Sequence, residues 1–308
     1  MTAHYRLLTR GDFDGIVCAA LLRECGLVQD VAFVHPQDMQ SGRVAVDDRV
    51  VTAVLPYVPG CHLAFDHHSS EWLRMGAERP DNLVNNPHAA SCARVIYDHF
   101  GGAAAFPNVP EALLEAVDKA AAAAFTEMEI LDPYDWTLVN FVLDARTGLG
   151  RFREFRISNE ALLMKMIDLV RTRSGEDILL DRDVSERVRL YFEHEELFRQ
   201  QIRRCSRQHG DVLAIDLRQE DPIFAGNRFM PYALFPTSRV SIHCLRGPQD
   251  RSVFAIGKSI LDRSSPVDIG SLCLEYGGGG HASAGTCQIP AERAEAVLAE
   301  LIEALRQR

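Results

Sequence analysis

The chain has 308 residues, 47% apolar and 25% charged, enough to bury one large core or two ordinary ones. No apolar run approaches the roughly 20 residues that cross a bilayer, and the opening MTAHYRLLTRGD lacks the apolar core and cleavage site of a signal peptide. A formal net charge of −10 argues against a general nucleic-acid coat, which must neutralise many phosphates, but leaves room for a small phosphorylated ligand in a local basic pocket.

These features predict a cytoplasmic protein that engages neither membranes nor long nucleic acid. The eight cysteines form no CxxC pair and mostly sit in apolar contexts such as GIVCAALL and SIHCLR, so buried reduced thiols are expected.

Taken in chain order, Tyr5 to Thr9 reads as a short strand and Gly15 to Cys25 as the helix after it. VAFVHP, RVVTAVLPY and CHLAFDHH follow as strand candidates, then AASCARVIYDHF and PEALLEAVDKAAAAAF as helices. Strands alternating with helices predict an α/β domain over residues 1–150, with a mainly parallel sheet and helices on both faces. In such sheets chemistry gathers at the C-terminal ends of strands, where GDFDG and DHHSS both fall.

Near residue 150 the composition turns rich in Arg and Gly. SNEALLMKMIDLVRTRSG, with Asn159 as its cap, and the long amphipathic ILLDRDVSERVRLYFEHEELFRQQIRRCSR together read as a helical connector over 151–208. From 209 to 308 a smaller α/β domain with a mixed sheet is expected. DVLAIDL, RVSIHCL and SVFAIGKSI are its strands, and PAERAEAVLAELIEALRQR is a closing helix with Pro290 in its first turn. Ala294, Val297, Leu298, Leu301, Ile302 and Leu305 form that helix's apolar stripe.

Three short motifs carry chemistry. In GDFDG, Asp12 and Asp14 offer two hard oxygen donors suited to Mn²⁺ or Mg²⁺, although Asp-x-Asp at a strand-to-helix turn also serves as an ordinary cap. In AFDHHSS, one of two adjacent histidines can bind a metal while the other meets a substrate phosphate and Asp66 fixes orientation, although a plain surface His-His pair is the alternative. In YGGGGHASAGTC, Gly277 to Gly280 allow the backbone to approach an anion closely, and His281 can donate a hydrogen bond to it. A flexible linker is also Gly-rich, but would not sit between amphipathic VDIGSLCLEY and strand-like GTCQI.

In this order, Asp-x-Asp-Gly, Asp-His-His and Gly-Gly-Gly-His-x-x-Ala-Gly resemble the DHH phosphoesterase superfamily, with GGGHASAG matching its DHH-associated domain. The resemblance runs from Asp12 to Gly285. It implies an N-terminal metal site, usually for Mn²⁺, a C-terminal domain closing over substrate, and metal-dependent hydrolysis of a small phosphodiester or phosphoanhydride. Family members include nanoRNases, cyclic-dinucleotide phosphodiesterases, single-strand exonucleases, exopolyphosphatases and pyrophosphatases. The implied partner is therefore a short RNA, a dinucleotide or polyphosphate, and a homodimer is compatible with it.

Residue by residue, the resemblance makes Asp12, Asp14 and His67 metal ligands, and turns His68, beside Asp66, towards the scissile phosphate. It makes Gly278, Gly279, Gly280 and His281 the substrate loop, to which Lys258 or Arg263 adds positive charge on grounds of position. Three family ligands are missing. Leu8 stands where many members have a histidine, and His4 lies too far along the strand to replace it. Val54 and Leu55 end the strand where a bridging Asp belongs. Ala121 stands in for the fourth-motif Asp, with Asp118 almost one helical turn earlier as the remaining candidate ligand. So depleted a set predicts weak metal binding, one ion rather than two. The competing expectations are a degenerate member that binds a nucleotide without efficient turnover, and a scaffold with no ligand.

Overall fold

The computed structural model describes residues 5–69, 71, 79–152 and 154–307; His4 lies outside them. The chain divides into two compact units, 1–124 with 133–189, and 125–132 with 190–308. The segment read as a connector therefore does not stand alone. Its first helix packs on the first unit, and most of its long helix belongs to the second.

In the first unit, β1 (Tyr5–Thr9), β2 (Val28–Phe33), β3 (Val50–Ala53), β4 (Leu63–Asp66) and β5 (Leu83–Asn85) form one sheet in the order β2-β1-β3-β4-β5. Every pairing in it is parallel. Helix α1 (Phe13–Glu24) is buried from Phe13 through Leu22. A helix apolar on all sides belongs inside a fold rather than on its surface, and α1 packs against β1 and β2 as well as three further helices. Numbered after the short α2 (Pro36–Gln40), these are α3 (Cys92–His99), α4 (Glu111–Ala121) and α7 (Asn159–Thr172); α5 (Glu127–Leu131) and α6 (Asp135–Leu143) lie between α4 and α7 in sequence. Each fully buried Leu or Ile of α1 contributes roughly 2 to 3 kcal/mol by burial.

Several boundaries differ from expectation for local physical reasons. Ser158, not Asn159, caps α7, its hydroxyl accepting the Ala161 amide at 3.1 Å. The alanine run does not continue α4, which stops at Ala121; Ala123 then takes a positive φ of 48°. The second connector stretch splits into α8 (Gly175–Leu179) and α9 (Arg182–Cys205).

The second unit holds a mixed sheet, ordered β10-β11-β9-β8-β7-β6. Its strands are β6 (Ser206–His209), β7 (Val212–Asp216), β8 (Val240–Arg246), β9 (Arg251–Lys258), β10 (Gly279–His281) and β11 (Ala284–Pro290). Only β7 with β8 is parallel. Strand β6 escaped sequence reading because SRQH is polar; it pairs at a sheet edge, where no apolar face is needed. Among the helices are α10 (Met230–Leu234), α11 (Ile269–Glu275) and α12 (Ala294–Gln307). Pro290 ends β11 and precedes a single 3₁₀ turn rather than opening the last helix. Val240, Ile242 and Cys244 of β8 enter a core with Leu301 and Leu305 of α12. The alternate residues Ser241, His243 and Leu245 face the other side, where Leu245 packs with Phe198 and Ile202 of α9.

His243 sits in the middle of this sheet, opposite Ile215 and Ala255. Burial pushes its imidazole from 6.5 down to about 4. In the unfolded chain it protonates at an ordinary value, so its contribution is fully present above about pH 6.5 and is lost as pH falls towards 4, at most about 3 kcal/mol in all. His243→Leu is therefore expected to shrink the fall in Tm between about pH 7.5 and about pH 5. An unchanged fall would remove this residue from the acid sensitivity.

Candidate active site

The end of β1 turns sharply into α1. Asp12 caps that helix, with Oδ1 accepting the Gly15 amide at 3.1 Å and Oδ2 lying 2.9 Å from Arg10 Nε. The glycine is required here: a Cβ on Gly15 would lie 2.0 Å from the Arg10 carbonyl oxygen and 2.8 Å from Thr9 Oγ1. This close turn sends Asp14 into the interior, where only 7% of it is exposed.

Asp14 does not bond its own helix N-terminus. It seats on another one. Its Oδ2 accepts the Cys92 amide at 3.0 Å and its Oδ1 the Ala93 amide at 2.9 Å, while the Cys18 thiol lies 3.6 Å from Oδ1. Its Oδ2 also faces His67 Nε2 at 3.7 Å. Burial raises the Asp14 carboxyl above its ordinary range, and His67 and the two amides partly offset that rise.

Strand β4 delivers the second motif. Asp66, almost wholly buried, accepts from His68 Nδ1 at 2.7 Å. Asn85 braces the pair by donating to Asp66 Oδ2 at 3.4 Å and to the His68 carbonyl at 3.3 Å. This contact fixes the His68 tautomer with the proton on Nδ1, turns Nε2 to the outside, and raises the imidazole above 6.5, chiefly through the Asp66 bond. His67 is held from behind by Nδ1 near the Ala89 carbonyl, at 3.4 Å, so that Nε2 points to Asp14. The two rings lie 4.6 Å apart at 58°.

Asp12, Asp14, Asp66, His67 and His68 thus come together, and the donor chemistry can be tested against a cation. An oxygen of Asp14 and a nitrogen of His67, 3.7 Å apart, suit adjacent positions on one Mn²⁺ or Mg²⁺, with water completing the shell. Among the described residues no three His, Cys, Asp or Glu side chains converge into a ready-made cage. Leu8 is packed in an apolar cluster with Met39, Val50 and Leu55. Val54 is buried and takes a φ of 61°, a conformation that costs a β-branched residue about 1 to 3 kcal/mol. Ala121 is exposed at the end of α4. Asp118 is committed elsewhere: Ser91 Oγ donates to its Oδ1 at 2.6 Å, and Arg94 donates to its Oδ2 from Nε at 2.9 Å and from Nη2 at 2.7 Å. Among the described residues, the donors of Asp14 and His67 are the pair that fits a divalent cation.

In the second unit the glycine loop forms β10, an edge strand paired with β11. Packing explains two of the four glycines from Gly277 to Gly280, and a positive φ of 72° explains a third, Gly277. A Cβ on Gly278 would lie 2.0 Å from the Thr286 carbonyl oxygen, and one on Gly280 would lie 2.3 Å from that of Ala284. Gly279 differs, because a Cβ there meets nothing within 4 Å. His281 is exposed, with Nδ1 accepting the Ser283 amide at 3.3 Å. Lys258 ends β9 beside that turn: its amide donates to the Ser283 carbonyl at 2.9 Å and its Nζ to the Ser265 carbonyl at 3.0 Å. Arg263 instead reaches back to the Ile260 carbonyl at 3.4 Å, within its own turn.

Sequence reading missed Arg10, Asn85, Ser91 and Arg94. Only Ser91 carried a local signal, a hydroxyl residue directly before the apolar-periodic CARVIYDHF.

No family model matches the chain, and no curated protein matches it in sequence. Among solved structures it is similar to the pGpG-specific phosphodiesterase PggH from Vibrio cholerae. Identity there is 49%, the match covers 98% of this chain and 99% of that one, and the TM-score is 0.84. It also resembles, in fold alone, the RecJ of Thermus thermophilus solved with Mn²⁺, at 14% identity and a TM-score of 0.50; 98% of this chain is covered but 52% of that one.

Proposed function

This chain belongs to the DHH phosphoesterase family, and on that premise we propose that it hydrolyses a short linear dinucleotide of the pGpG type. Water is added across the internal phosphodiester and two mononucleotides leave. The observation that carries this reading is 49% identity, over essentially the whole of both chains, to a phosphodiesterase of that specificity.

A bound Mn²⁺ or Mg²⁺ would supply charge against the phosphoryl oxygens and a water of lowered pKa. Asp14 and His67 are the residues that would hold it, with Asp12 adding negative charge at the same strand end. His68, whose bond to buried Asp66 favours the imidazolium form, would in that form offer an Nε2 hydrogen bond or proton to a phosphoryl or leaving oxygen. Within the second unit, edge strand β10 offers backbone and His281 as anion-binding groups, and Lys258 adds a cation near the turn. The small size of such a substrate agrees with a net charge of −10, which disfavours long polyanions.

The test is product analysis with Mn²⁺ present, comparing pGpG with pApA, a cyclic dinucleotide and polyphosphate. GMP is the expected product from pGpG, and it disappears on chelation. The apolar Val54 and the ion-paired Asp118 favour one alternative, a family member that binds without turnover. Tight pGpG binding with no GMP released would establish that alternative and overturn the hydrolase reading.

A further inference from the structure

Helix α3 begins with a fully assigned N-terminus. Its first two amides, from Cys92 and Ala93, are taken by the two oxygens of Asp14, from 78 and 79 residues away. Its third, from Arg94, is taken by Ser91 Oγ at 3.0 Å, and its fourth, from Val95, by the Ser91 carbonyl at 3.3 Å. The positive end of the helix thus faces a buried carboxylate through two parallel hydrogen bonds, a geometry that fixes the plane of the carboxylate as well as its place.

The same helix end is anchored from outside. Asp118 on α4 receives the Ser91 hydroxyl and both Arg94 donors, so one carboxylate grips the cap residue and the third helical residue together. The Arg94 side chain is 22% exposed and that of Asp118 19%, which places the pair where screening by water is limited. Arg94 Nη2 also reaches Glu111 Oε1 at 3.2 Å, a contact at the exposed start of α4.

We propose that Asp118 and Arg94, acting through Ser91, are positioning residues. They hold the α3 N-terminus so that its amides fix Asp14 with Oδ2 turned to His67. Asp118 then serves the site from behind the helix instead of touching the ion. The inference rests on the reading of Asp14 and His67 as cation ligands. It goes beyond that reading by giving the site a second layer whose members never meet metal or substrate. Outer groups of this kind typically change metal affinity by about 10- to 100-fold.

The experiment measures Mn²⁺ binding to the full chain by titration calorimetry, alongside Tm, for wild type, Asp118→Asn, Arg94→Gln and the double variant. Positioning predicts that each single variant weakens Mn²⁺ binding about tenfold at unchanged stoichiometry. The double variant should be no weaker than the singles, because one linkage is broken in all three. Arg94→Lys, which keeps the charge but loses the paired geometry, should lie between, and it serves as the measured variant if Asp118→Asn does not fold.

A loss of Tm with unchanged Mn²⁺ affinity would reduce the pair to a structural brace and overturn the proposal. So would a fall in stoichiometry confined to Asp118→Asn, which would make Asp118 a ligand, and so would a wild type that binds no Mn²⁺. A wild type that binds Mn²⁺ and responds as predicted, yet leaves pGpG intact, would sink the hydrolase reading alone.

Discussion

Asp14→Asn is expected to lower kcat/KM for pGpG by about a thousandfold or more, equivalent to about 4 kcal/mol of lost transition-state stabilisation. The size follows from the number of tasks placed on one carboxylate. Its two oxygens accept two backbone amides at 3.0 and 2.9 Å, and one of them also faces His67. An asparagine has a single acceptor oxygen. Whichever way the amide is turned, its NH₂ meets either the Cys92 or the Ala93 N–H, donor against donor, and one buried amide loses its partner at about 1 to 3 kcal/mol. The negative charge available to a cation disappears at the same time. The variant should therefore show a lower Tm together with the loss of turnover, read by thermal denaturation and by steady-state GMP release. Activity within tenfold of wild type would remove Asp14 from the chemistry.

The contrast between Asp12 and Asp14 shows what the sequence could and could not disclose. Both carboxylates, and the Asp66-His67-His68 triplet, are legible because each motif is contiguous and sits where a strand ends. The indispensable Gly15 is legible for the same reason, since the clash it avoids is with Arg10, five residues earlier. What each carboxylate binds is a different matter. Asp12 turns to its own helix and Arg10, whereas Asp14 crosses to a helix 78 residues on, a partnership with no local signature. Asp118 illustrates the same limit: by spacing it was the nearest candidate for a missing ligand, and only the packing of α4 beside α3 brings Arg94 onto it. The positive φ of Val54 is likewise imposed by the fold, because valine alone would favour continuing the strand.

The glycine loop supplies the second large effect, and there packing and ligand binding can be separated within consecutive residues. Gly278→Ala is expected to destabilise the second unit by at least about 3 kcal/mol, and so to lower Tm by about 10 °C. Its Cβ would lie 2.0 Å from the Thr286 carbonyl oxygen and 2.7 Å from Cys287 Cα, and neither backbone atom of β11 can yield without breaking the β10 pairing. Gly280→Ala meets the Ala284 carbonyl oxygen at 2.3 Å and should behave alike. Gly279→Ala has open space around it and should leave Tm unchanged. If β10 receives the dinucleotide, however, that one methyl group stands between backbone and anion. KM for pGpG should then rise about tenfold, because uniform binding is lost while Asp14, His67 and His68 are unaltered. A Gly279→Ala enzyme with both wild-type Tm and wild-type KM would mean that these glycines serve the closeness of two strands and a helix, and that the substrate's phosphates are held elsewhere.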